Sequence, residues 1–255
     1  MNPNRGIDSM RVVLIGVWIV LLTGYGIVWG EPSSVLEVGR FSTEKTGNIL
    51  PSLWEPLDFK DIKIHTHYRL VEADGQVVVQ AVADASASGL IRKISIDPKE
   101  YPIVQWRWKV SNVLQKGNVH RKDGDDYPAR LYILFEYDPD RLGFFERLKY
   151  ETAKLFYGAY PPLASINYIW ASNAPEGLVV PNPYSDRSMM VVVKSGEINL
   201  NKWLTEERNI YEDYRNVFKD EPPMISGVAI MTDTDNTGES ATAYYGDILF
   251  SKKRP

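Results

Sequence analysis

The chain has 255 residues, 44% hydrophobic and 24% charged, an ordinary globular composition. Its formal net charge of −4 provides no basic field for a phosphate backbone, which argues against nucleic-acid binding. The absence of cysteine removes disulfides, thiolate metal sites, cysteine nucleophiles and lipid attachment at an N-terminal cysteine.

Arg5 and Arg11 precede residues 12–22, which are apolar except for Gly16. This is the charged-then-apolar order of a secretory signal, and Gly30 permits cleavage before Glu31. Residues 12–29 also make 18 largely apolar positions, the length of an uncleaved anchor. Both readings put residues 31–255, expected as one domain, outside the cytoplasm, either periplasmic or tethered to the inner membrane. Membrane contact would then be confined to the N-terminal segment.

Short β-type runs follow. Residues 54–57 suggest a strand near a sheet edge, and 68–70 with 76–82 flank Asp74-Gly75 as a hairpin. Residues 89–96 form another run, closed by Asp97-Pro98. In 103–110, Val104, Trp106, Trp108 and Val110 alternate with Gln105, Arg107 and Lys109, the pattern of a half-buried strand with the tryptophans in the core. Residues 129–137 alternate with two fairly apolar faces, which suits a central strand. Residues 139–162 and 200–218 instead space their apolar residues helically, predicting two amphipathic insertions. Strands at 168–171 and 189–194 lie between them. Finally, residues 225–231 and 241–250 flank a polar, glycine-containing loop and read as an antiparallel hairpin. The sum is an all-β fold, a jelly-roll β-sandwich with two helical insertions.

Three clusters carry candidate chemistry. At the expected hairpin tip, Asp233-x-Asp235-Asn236-x-Gly238-Glu239 gathers hard oxygen ligands. It resembles a calcium loop without being an EF-hand, having no downstream bidentate glutamate. Asp233, Asp235 and Asn236 are the metal candidates; an Asx-rich turn is the alternative. The second cluster is Asp125, Asp126, Tyr127 and Arg130 at a strand start. There Arg130 needs an acidic partner, Asp233 or Asp213, either as a buried pair or within a pocket. The third is Tyr211, Asp213 and Arg215 on the second helix, as ligand contacts or core packing. Tyr245 on the last strand completes the expected pocket. His65 and His67, two apart, would share a strand face, which permits metal binding; the alternative is two exposed strand residues. There is no Gly-x-Ser-x-Gly elbow, phosphate loop, His-Glu-x-x-His or dinucleotide fingerprint.

Several stretches resemble the bacterial, exported domain-of-unknown-function family 3047. They are Gln105-Trp106-Arg107-Trp108, Gly124-Asp125-Asp126-Tyr127-Pro128-Ala129-Arg130, Tyr168-Ile169-Trp170-Ala171, Asn209-Ile210-Tyr211-Glu212-Asp213-Tyr214-Arg215, Ile230-Met231-Thr232-Asp233-Thr234-Asp235-Asn236-Thr237 and Tyr244-Tyr245-Gly246-Asp247-Ile248. The match covers residues 41–250. The resemblance implies no established activity; the ending is similar to carbohydrate-binding and galactose-binding-like jelly rolls. The leading expectation is an exported, non-catalytic module for a polar ligand, a glycan or envelope saccharide, with calcium at the loop. The alternatives are an enzyme acting on polysaccharide through two of Asp125, Asp126, Asp233 and Asp235, or an envelope structural protein.

Overall fold

A computed structural model describes residues 33–47, 49–143, 147 and 162–252. The expected N-terminal signal or anchor and most of the helix expected over 139–162 lie outside these residues. Among the described residues no helix is long and apolar enough to cross a membrane.

In chain order the strands are β1 (Val35–Gly39), β2 (Glu55–Leu57), β3 (His67–Ala73), β4 (Gln76–Asp84), β5 (Ala87–Ile96), β6 (Ile103–Val110) and β7 (Ala129–Phe135). They continue with β8 (Ala164–Ala171), β9 (Val179–Asn182), β10 (Ser185–Ser195) and β11 (Leu204–Asn209). The helix α1 (Ile210–Phe218) precedes β12 (Ile225–Asp233) and β13 (Ser240–Ser251). The first sheet runs β11-β6-β13-β4-β3, with β1 on the far half of β13. The second runs β2-β5-β12-β7-β8-β10-β9, with β8 and β10 parallel.

Packing follows the two-residue period. Trp106 and Trp108 on β6 are buried and meet β8 across the sandwich. Trp106 stacks on Tyr168 at 5.1 Å, and Trp108 meets Trp170 edge-on at 6.0 Å. The β3–β4 hairpin forms as the sequence predicts, with Asp74 (φ 52°) and Gly75 (φ 79°) both left-handed at the turn. A Cβ on Gly75 would meet nothing within 4 Å, so only backbone strain opposes substitution. Gly75→Val should therefore cost about 1–2 kcal/mol in a urea melt.

Two expectations are corrected. The terminal runs do not pair as a hairpin: β12 pairs with β5 and β7, whereas β13 pairs with β4 and β6 in the other sheet. Residues 234–239 thus arch between sheets. Because β12 is buried on nearly every position, it needs neighbours on both edges and cover on both faces. The β4–β5 link makes the same crossing alongside. The two arches are tied by Thr234 N–H to Ser86 O (2.9 Å), Ser86 N–H to Thr234 Oγ1 (3.2 Å) and Ala85 N–H to Glu239 O (2.9 Å).

The second predicted helix divides. Leu204–Asn209 is an edge strand on β6, and Asn209 then caps α1 by accepting Glu212 N–H at 3.1 Å. On that strand Glu206 is buried, accepts Trp108 Nε1–H at 3.4 Å and has Lys194 Nζ at 3.9 Å. Burial raises its pKa, with Lys194 pulling the other way. The folded chain therefore holds that proton more tightly than the unfolded chain. The resulting stabilisation is present below the ordinary glutamate range and is lost as pH rises through the raised value. Relative to Glu206→Gln, the wild type should lose stability as pH rises above the ordinary glutamate range in parallel melts.

Candidate functional site

Alternation on the second sheet separates core from cleft. Leu131, Ile133 and Phe135 of β7 enter the core, and Arg130 and Tyr132 face the opposite side, away from the first sheet. Met231 and Asp233 of β12 and Ser188 of β10 join them in lining a cleft of about 1370 Å³. Residues 57–62 and His65 form further lining, with Asn182, Tyr184, Asp125, Asp235 and Asn236. The cleft mixes carboxylates, amides and hydroxyls with the half-exposed rings of Phe59 and Tyr184.

Arg130 is its organising group. Nε donates to Asp233 Oδ1 at 2.9 Å, and Nη2 donates to Asp233 Oδ2 and to the Asp125 carbonyl. Nη1 donates to the Tyr132 hydroxyl at 3.1 Å and lies 3.7 Å from Asp125 Oδ1. The Tyr127 ring backs the guanidinium at 4.2 Å, and Tyr127 N–H donates to Asp233 Oδ1 at 3.2 Å. Asn182 Nδ2 holds Asp125 Oδ2 at 2.7 Å. Arg130 is 2% exposed and Asp233 likewise 2%, so this is a desolvated, bidentate pair.

Acidic charge exceeds that one cation. Carboxylate oxygens of Asp126, Asp233 and Asp235 all lie within 4.8 Å of one another. Burial and the neighbouring carboxylates push the Asp233 carboxyl upward, against the opposing pull of the bidentate Arg130. Asp235 is also raised, by burial and then by Asp126. Tyr132 is pushed up to about 12 by burial, with Arg130 acting the other way.

Of the residues expected at the site, Asp125, Arg130, Asp233, Asp235 and Asn236 line the cleft. Asp126 and Tyr127 are buried behind its wall. Tyr245 lies beneath the floor on the core side. Its hydroxyl donates to Met231 O at 2.6 Å and sits 2.9 Å from Thr232 Oγ1. It faces inward because β13 belongs to the other sheet.

Tyr211, Asp213 and Arg215 do not join the cleft, and that expectation is corrected. Tyr211 donates to Glu221 (2.9 Å), with Arg215 3.3 Å from the same carboxylate. Asp213 accepts from Arg208 (2.6 and 2.9 Å) and from Tyr168 OH (2.7 Å). The register explains the separation. Asn209, which leads into α1, pairs with Ile103, whereas the β12–β13 arch enters beside Val110 at the other end of β6. Those ends are roughly 20 Å apart. Sequence reasoning also missed Tyr132, Asn182, Tyr184 and Phe59. Tyr132 was the findable one, two positions from Arg130 on the same strand face.

Fold and site together define a two-sheet β-sandwich protein with a polar, aromatic-edged cleft on the outer face of one sheet. The chain belongs to the family described as protein of unknown function (DUF3047), whose model matches residues 52–249. No curated protein matches. Among solved structures, the chain is similar to the carbohydrate recognition domain of Emp47p, with 9% identity and TM-score 0.40, over 86% of this chain and 95% of that one. It is also similar to the family 30 carbohydrate-binding module of the cellulosomal cellulase Cel9D-Cel44B of Clostridium thermocellum, with 9% identity, TM-score 0.35, and 87% and 99% of the two chains covered. A third is the glycoside hydrolase domain of Endo-D from Streptococcus pneumoniae R6, at 9% identity and TM-score 0.31. That match takes 79% of this chain but spans 22% of the other.

Proposed function

We propose that this chain is an exported, non-catalytic module that binds a polyhydroxylated ligand, a glycan of the cell envelope, in the cleft over β7, β10 and β12, and that its sandwich is a jelly roll. The observation that carries this reading is the lining itself. Acceptors (Asp125, Asp235), donor–acceptor groups (Asn182, Ser188, Tyr132) and rings (Phe59, Tyr184) surround one opening. Sugars need that combination, because hydroxyls use both roles of a hydrogen bond while the apolar ring faces pack on aromatics. Export is supported by the Arg5 and Arg11 n-region followed by the apolar run.

Of the four carboxylates open to a glycosidase reading, Asp125 and Asp235 line the cleft outside the bidentate pair, and Asp125 Oδ2 is held by Asn182 at 2.7 Å. Asp233 is bound by Arg130 and Asp126 is sealed from solvent, so neither presents a carboxyl to a glycosidic oxygen. Titration calorimetry against bacterial envelope saccharides tests the proposal. Saturable binding should weaken by about tenfold or more, roughly 1.4 kcal/mol, in Tyr184→Ala and Asn182→Ala. Absence of heat with every saccharide, or binding unchanged in both variants, would refute it.

A further inference from the structure

The buried wall behind the cleft holds more negative charge than the protein neutralises. Asp125 and Asp233 share the Arg130 guanidinium, Asp126 and Asp235 stand beside Asp233, and Lys116 Nζ is engaged with the Thr237 carbonyl at 2.9 Å. Three of those carboxylates form a triangle within 4.8 Å, about twice a calcium–oxygen bond, so one ion can touch all three. The independent sign is Asp126. It is 1% exposed, and its Oδ2 accepts Thr237 N–H at 2.6 Å. Its Oδ1 is buried with no hydrogen-bond partner among the described residues. A buried anionic oxygen left without a donor costs several kcal/mol in most settings, and a cation beside it removes that cost. At Asp233, Oδ1 already accepts from Arg130 Nε and Tyr127 N, whereas Oδ2 accepts from Arg130 Nη2 alone and keeps a lone pair. Asp235 lines the cleft, so one flank of the triangle is open to solvent or ligand oxygens.

We propose that Asp126, Asp233 and Asp235 bind one hard divalent cation, calcium in preference to magnesium, at the back of the cleft. The donor set is all oxygen and lacks histidine and cysteine, which excludes the softer metals by ligand preference. An irregular carboxylate triangle on an arch suits the larger ion's flexible shell better than magnesium's strict octahedron. Asn236, grouped with this loop in the sequence, instead turns its amide nitrogen toward Asp235 Oδ2 at 3.5 Å. The inference does not depend on what fills the cleft.

The test uses the full chain, stripped with chelator and titrated with calcium chloride alone. One saturable site is expected, with Tm rising about 5–10 °C at roughly 100 times Kd. Magnesium should bind at least tenfold more weakly. Asp126→Asn and Asp235→Asn should each bind calcium at least tenfold more weakly. In chelator, Asp126→Asn should melt no lower than wild type, because the orphaned charge is gone while the acceptor for Thr237 N–H remains. Asp235 is only half buried, so Asp235→Asn keeps the test decisive should Asp126→Asn fail to fold. No calcium response in the wild type, wild-type affinity in the folded variants, or tighter magnesium binding would overturn the proposal.

Discussion

Arg130→Met should destabilise the protein by about 3–5 kcal/mol in urea, the cost of leaving a buried charge without its partner. The guanidinium holds both oxygens of Asp233 together with the Asp125 carbonyl and the Tyr132 hydroxyl, all within the buried end of β7 and β12. Methionine fills much of the volume but strands Asp233 and Asp125, which are 2% and 5% exposed. Arg130→Lys should recover only part of the loss, since one ammonium cannot reproduce the planar fork. Arg130→Met combined with Asp233→Leu should recover more, because removing both members of a buried pair is far less costly than removing one. If Arg130→Met loses under about 1 kcal/mol, the clamp does not hold these strands together.

Trp106→Ala should cost a further, independent 3–5 kcal/mol or so, as a large-to-small change at a fully buried aromatic. Trp106 is 1% exposed, stacked on Tyr168 at 5.1 Å and edge-on to Trp108 at 5.4 Å, so its loss opens a cavity between the sheets. Trp106→Phe should cost much less. Trp106 Nε1 has no hydrogen-bond partner among the described residues, so phenylalanine gives up area without giving up a bond. Trp108→Phe differs, because Trp108 Nε1 donates to buried Glu206. Equal losses for the two phenylalanine variants would contradict this account of the core.

Where structure depends on short-range periodicity, the sequence was readable. The alternation of Val104, Trp106, Trp108 and Val110 predicts β6 with its bounds, and Asp74-Gly75 predicts the first hairpin. Periodicity does not report which edges pair. An arch between sheets and a hairpin within one sheet have the same local chemistry, a polar loop between two β-type runs. The link after Asp233 is therefore an arch where the sequence predicts a hairpin, and the pairing of β12 with β5 and β7 and of β13 with β4 and β6 distinguishes the two. Residues 204–209 carry a helical face in the sequence because apolar residues precede a genuine helix in matching phase. Pairing with β6 outweighs that pattern. Of the site, Asp125, Arg130 and Asp233 were visible as charges at strand starts and ends that required partners. Tyr184 and Phe59 come from loops and Asn182 from the end of β9, stretches whose composition carries no signal and which reach the cleft only through the tertiary path. Of the two partners expected for Arg130, Asp233 is the one found, and Asp213 is claimed locally by Arg208, five residues before it.

The most direct test of the cleft as a binding surface is hydrogen–deuterium exchange on the full chain, with and without a saturating saccharide identified by calorimetry. Protection should concentrate in residues 57–65, 125–132, 182–188 and 231–236, leaving the outer face of the first sheet around Arg107, Trp203 and Tyr244 unchanged. Protection on that opposite face, with none around Arg130 and Tyr184, would contradict the assignment.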